Sequence, residues 1–133
     1  MEDIKFSTFD PKKRKIILKT DTWENHILMR HSECEVCEIK KNIENPRFIL
    51  RNIKPKKDGS SELIEDESRE DYIDLFIQED KVYLIKTIVQ FENEGKGFVV
   101  TNHILRKSTE IKTTGGVIYD RNENKNTTKF TSI

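Results

Sequence analysis

Residues 81–106 read KVYLIKTIVQFENEGKGFVVTNHILR. Val82 to Phe91 and Phe98 to Leu105 are rich in β-branched and aromatic residues, and Asn93-Glu94-Gly95-Lys96 between them is turn-like, so the segment predicts an antiparallel hairpin. Pairing Glu92 with Gly97 sets Phe91 opposite Phe98, Val89 opposite Val100 and Ile85 opposite Ile104, which makes one face apolar. A one-residue slip would spoil that face. The same register sets Lys86 opposite His103 and Ile88 opposite Thr101 on the other face, where a purely structural sheet would place more valines and isoleucines.

Upstream, Phe48-Ile49-Leu50 with Ile53 reads as a strand, and the sheet resumes over Tyr72 to Ile77. Pro55 to Ser61 reads as an exposed loop that continues as an acidic, mobile connection to Arg69. Lys15-Ile16-Ile17-Leu18 predicts a short strand after a polar lead-in. The first helix is expected over Thr22 to His31, with Asp21 capping its first turn and Glu24 reaching back. A second is expected from about Glu33 to Glu44, because Ser32 and Glu35 form a capping-box pair, Val36, Ile39 and Ile43 recur at helical spacing, and Asn45-Pro46 stops the run. The fold class that follows is α+β, two N-terminal helices packed on an antiparallel sheet. Residues 1–107 form its single domain, and 108–133 a C-terminal extension, an edge strand at Val117-Ile118-Tyr119 or a partly disordered tail.

A chain of 133 residues can bury one core without disulfides or metal. Cys34 and Cys37 cannot make a disulfide framework, so a reducing, cytoplasmic setting is expected. No apolar run approaches a membrane span, and the N-terminus lacks the pattern of a signal peptide. The 24 cations balance the 24 acids, but the distribution is uneven. Lys12-Lys13-Arg14-Lys15 and the five cations of Arg47 to Lys57 contrast with ten acids from Asp58 to Asp80. A basic groove with an acidic flank is the expectation.

The helix over Asp21 to Glu33, DTWENHILMRHSE, carries the chemistry. Counting 100° per residue, Trp23, Ile27, Arg30 and His31 share one arc, with His26 just outside it. Imidazole exchanges a proton near neutral pH and guanidinium holds a pair of phosphate oxygens, so the set suits phosphate chemistry. The catalytic candidates are His31, His26 and Thr101; the substrate-binding candidates are Arg30, Lys86 and His103. For RNA cleavage a base takes the 2′-OH proton, an acid protonates the leaving oxygen and a cation stabilises the phosphorane. That route needs no metal or cofactor, whereas DNA hydrolysis usually recruits Mg²⁺ through clustered carboxylates.

The pattern Trp23, His26-Ile27-Leu28, Arg30-His31 and Glu33, followed by a helix ending Ile43-Glu44-Asn45-Pro46, resembles phage and bacterial members of the barnase, EndoU, colicin and RelE-like (BECR) nuclease group. The likeness in order of elements spans Lys15 to Lys107, with a threonine near the end of a late strand. It implies a metal-independent ribonuclease acting as a toxin or phage effector on RNA, with an immunity or antitoxin protein as a partner and no membrane. Two other readings stay open. His26, His31, Cys34 and Cys37 have zinc-capable spacing, though two adjacent pairs converge poorly on a tetrahedral ion. A non-catalytic module could keep the fold and use its basic strand to hold RNA or a protein. No Walker loop, dinucleotide fingerprint, nucleophile elbow or HExxH is present.

Overall fold

The computed structural model describes residues 3–28, 35–56, 59, 62–92, 95–106 and 116–123. Its strands are β1 (Ile4–Phe9), β2 (Lys15–Lys19), β3 (Phe48–Pro55), β4 (Leu63–Gln78), β5 (Lys81–Phe91), β6 (Gly97–Leu105) and β7 (Val117–Asp120). They form one seven-stranded sheet in the order β1-β2-β6-β5-β4-β3-β7. Between β2 and β3 lie helix α1 (Thr20–Thr22), a π-helical turn (Trp23–Ile27) and helix α2 (Val36–Glu44).

This architecture corrects the expectation of two N-terminal helices on an antiparallel sheet. The described chain opens with a β-hairpin, β1 pairing antiparallel with β2. The sheet is mixed, because β2 runs parallel to β6, with Ile16 beside Gly97 and Ile17 beside Phe98. The hairpin escapes a reading by turn composition because a side chain shapes its corner: Asp10 Oδ1 accepts from the backbone N–H groups of Lys12 (3.0 Å) and Arg14 (2.9 Å). Ile16, Ile17 and Leu18 are all buried, as an interior strand covered on both faces requires.

The helices are short and start differently from the capping signals. Lys19 stands at the N-cap of α1 and makes no side-chain cap, while Asp21 accepts instead from the Asn25 amide. The Leu28 N–H bonds to the Trp23 carbonyl, five residues back, so a wheel drawn at 100° per residue does not describe this turn. Glu35 is the extended N-cap residue of α2, not a third helical residue reaching back to Ser32, and Ser32 lies outside the described residues. The π turn and α2 still supply the core from one side: Trp23, Ile27, Ile39 and Ile43 cluster with Ile16, Leu18, Ile49, Tyr72, Val89 and Val99.

The acidic stretch expected as a connection is half of β4, a 16-residue strand. Its charges are absorbed across the sheet. Arg14 holds Glu70 bidentately (Nη1–Oε2 3.0 Å, Nη2–Oε1 2.8 Å). Lys54 lies 3.8 Å from Asp66 and Arg121 3.2 Å from Asp74. The basic run in β3 and the acidic run in β4 are therefore neighbouring strands that pair with each other, not a groove and a separate flank.

Of the expected β5–β6 register, one half differs. Ile85 opposes Ile104, Lys86 opposes His103 and Ile88 opposes Thr101, but beyond a bulge Val89 opposes Val99, and Phe91 meets Gly97. The extra residue, Val100, lets Val99 enter the core beside Val89. Gly97 is required there: a Cβ would lie 2.6 Å from Val89 Cγ1 and 2.9 Å from Ile16 Cδ1. At the opposite edge of the sheet, Val117–Asp120 pairs antiparallel with β3.

Candidate functional site

The alternation of β5 sorts the candidate residues. Thr87 faces α2, because Asn42 Nδ2 of that helix donates to Thr87 Oγ1 (3.0 Å) and to the Tyr72 carbonyl (2.8 Å), and Thr87 donates to Asn102 (2.5 Å). Its neighbour Lys86 therefore faces the other side of the sheet. His103, directly opposite Lys86, and Thr101, opposite Ile88, share that far face. All three are half-buried.

On the far face the strand pairings lay out two adjacent rows. One runs Phe48, Ile73, Lys86, His103; the other runs Leu50, Asp71, Ile88, Thr101. Leu50, Ile73 and Ile88 are buried, so the polar members sit in an apolar surround. Asp71 was not among the residues singled out from sequence. It is 6% exposed, accepts from Asn52 Nδ2 at 2.8 Å and lies 3.9 Å from Lys86 Nζ. Burial pushes its carboxyl upward, against the opposing pull of the Asn52 hydrogen bond and the Lys86 charge. A buried carboxyl held between an amide and an ammonium is the kind of perturbed titratable group that functional sites collect, and the same ammonium lies directly opposite His103 on the next strand. The signal was available in the alternation of Asp71 with Ile73, Leu75 and Ile77, a charge placed on an otherwise apolar stripe.

His26 lies on the opposite side. It is half-buried on the π turn whose Trp23 and Ile27 pack on the helix-bearing face. The sheet separates it from Lys86, Thr101 and His103. Arg30 and His31 lie outside the described residues, as does Cys34. Cys37 is exposed on α2, and no group of three or more potential ligands that could hold a metal occurs among the described residues. No helix among them is long and apolar enough to cross a membrane.

A second polar cluster belongs to the scaffold. Tyr72 donates to Asp10 Oδ2 (2.6 Å) and accepts from Arg14 Nη2 (3.2 Å), and the Arg14 guanidinium lies 4.3 Å from the Phe91 ring centre. Burial, with the hydrogen bond to Asp10, drives the Tyr72 phenol far above its ordinary value, so it stays a neutral donor. With its members bonded to one another, this set pins the β1–β2 corner to β4.

Where the two rows reach the start of β3, a cavity of about 530 Å³ opens. Phe48, Leu50, Ile73 and Leu84 form its apolar lining, and Arg47, Asp74, Arg121 and Asn122 form its polar rim. The Arg47 guanidinium lies 4.1 Å from the Phe48 ring centre and pairs with Asp120.

No family model, curated protein or solved structure matches this chain.

Proposed function

We propose that this protein is a metal-independent ribonuclease of the toxin or phage-effector kind, with its substrate site on the far face of β4, β5 and β6. The observation that carries this reading is the placement of Lys86 directly opposite His103, with Thr101 on the same face. Cleavage by 2′-OH attack asks for a proton acceptor, a proton donor and a cation near the phosphate. His103 and Asp71, an imidazole and a buried carboxyl, are the titratable groups that this face adds to Lys86, and they are the candidates for the acid and base roles. The Lys86 ammonium binds a non-bridging phosphate oxygen, and the Thr101 hydroxyl donates to a second. The 2′-oxygen, losing its proton to the base, forms the new P–O bond as the P–O5′ bond breaks, and the 5′-oxygen takes a proton from the acid. The products are a 2′,3′-cyclic phosphate and a free 5′-hydroxyl.

The resemblance of residues 23–46 to the BECR nucleases supports the same reaction. It also implies a cellular RNA and an antitoxin as partners and names Arg30 and His31, which lie outside the described residues and are tested separately.

The test is cleavage of a single-stranded RNA in EDTA, with the cyclic phosphate identified by mass. His103→Ala and Lys86→Ala should each lower the rate by roughly 10²- to 10⁴-fold, the range for losing one proton-transfer or charge-stabilising group. His31→Ala and Arg30→Ala, assayed alongside, measure the share of the helix motif. RNA bound but not cut by the unaltered chain would replace the enzyme with a binding module.

A further inference from the structure

Resting on that reading, we infer that the cavity at the start of β3 is the subsite for a nucleobase of the bound RNA. Its position is set by the strand ladder. Ile73, in its lining, is the direct cross-strand partner of Lys86, and Leu84 lies two residues before Lys86 on the same face. The cavity thus begins one side-chain step, roughly 7 Å, from the ammonium assigned to the phosphate. A step of that length matches the reach from a phosphate to the base of its own nucleotide.

The chemistry of the walls points to a flat heteroaromatic group rather than a lipid chain or a simple sugar. The Arg47 guanidinium lies over the Phe48 ring in the cavity wall, and rings and guanidinium planes are the surfaces on which unstacked RNA bases lie. Leu50, Ile73 and Leu84 supply the apolar slot that excludes water from the base faces. The rim offers what a base edge needs: the Asn122 amide, with donors and an acceptor, the Asp74 carboxylate and the Arg121 guanidinium. Arg121 is held in place by Asp74 (3.2 Å) and by the Asn45 carbonyl (3.0 Å), so its orientation is set before a ligand arrives. A volume of about 530 Å³ accommodates a purine or a pyrimidine with its ribose.

The test is an NMR titration of Ile, Leu and Val methyl-labelled protein with three probes: a nucleoside 3′-monophosphate, ribose 5-phosphate and inorganic phosphate. The expected result is that the Leu50, Ile73 and Leu84 methyls shift with the nucleotide and stay put with the two base-free phosphates. Leu84→Trp, which fills the slot from an open position, should weaken the nucleotide at least tenfold and leave inorganic phosphate unchanged. Leu50→Met, a mild change in the lining, guards against misfolding and should alter nucleotide affinity in the same direction by a smaller factor. Cavity methyls that stay silent at saturating nucleotide, or that move equally with ribose 5-phosphate, overturn the inference even if RNA is cleaved. Shifts confined to the nucleotide, in a protein that cuts no RNA, uphold the base pocket while removing the ribonuclease reading.

Discussion

Arg14 and Glu70, 56 residues apart, meet in a two-pronged ion pair, Nη1 to Oε2 at 3.0 Å and Nη2 to Oε1 at 2.8 Å. The pair is mostly shielded from solvent, with side-chain exposures of 20% and 11%. It joins a β-hairpin corner to the middle of β4, so a local turn and a long-range contact depend on the same guanidinium. Removing one partner of a shielded pair leaves the other charge unpaired, which costs more than the pair itself contributes. Arg14→Met should therefore lower the unfolding free energy by about 3 kcal/mol in a urea melt. The double change Arg14→Met with Glu70→Leu should recover part of that loss. A single variant as stable as the parent would show that Glu70 and Asp10 find water instead.

Gly97 is tested by adding one methyl group. Its Cβ would press on Val89 and Phe91 of β5 and Ile16 of β2, all in the packed core or against it. Gly97→Ala should destabilise by about 2 kcal/mol through overpacking, read as a lowered denaturant midpoint with an unchanged slope. The same change at Gly95, where nothing lies within 4 Å but φ is +73°, should cost less and only through backbone strain.

Asp71 imposes a pH dependence whose sign can be worked out. Its carboxyl is raised in the folded chain by burial, so between the unfolded value of about 3.9 and that raised value the folded state holds the extra proton. The contribution to stability is present below the unfolded pKa and is lost as the pH rises through the folded one. Asp71→Asn cannot titrate and should remove this slope: relative to the variant, the parent protein should grow less stable from pH 3 to pH 8. A stability difference that is flat with pH would mean that Asp71 titrates as an ordinary exposed carboxylate.

His26 and His103 should part company in activity. The sheet stands between them, and only His103 shares a face with Lys86. His26→Ala should change RNA cleavage by no more than about twofold, whereas His103→Ala should lose the 10²- to 10⁴-fold expected of a proton-transfer group. Equal large losses in the two, with unchanged unfolding midpoints, would place the reaction at the helix instead.

What the chain determined by itself is what depends on neighbours along the backbone. The alternation in Lys81 to Arg106 assigns Lys86, Thr101 and His103 to one face and Ile85 and Ile104 to the other, because successive side chains on a strand point oppositely whatever lies around them. Asn45-Pro46 ends α2 for an equally local reason, the missing N–H and fixed φ of proline. Three features needed the tertiary structure. The acidic stretch leading up to Arg69 read as a solvated connection until β3 pairs with it and brings Lys54 to Asp66 and Lys56 to Glu62. The β1–β2 hairpin turns on the Asp10 side chain, and its second strand lies parallel to a partner some 80 residues away, a pairing that no local period encodes. That His26 does not join Lys86 and His103 was decided by the helices: they pack their Trp23, Ile27, Ile39 and Ile43 faces on one side of the sheet, keep His26 there, and leave Asp71, Lys86, Thr101 and His103 together on the other.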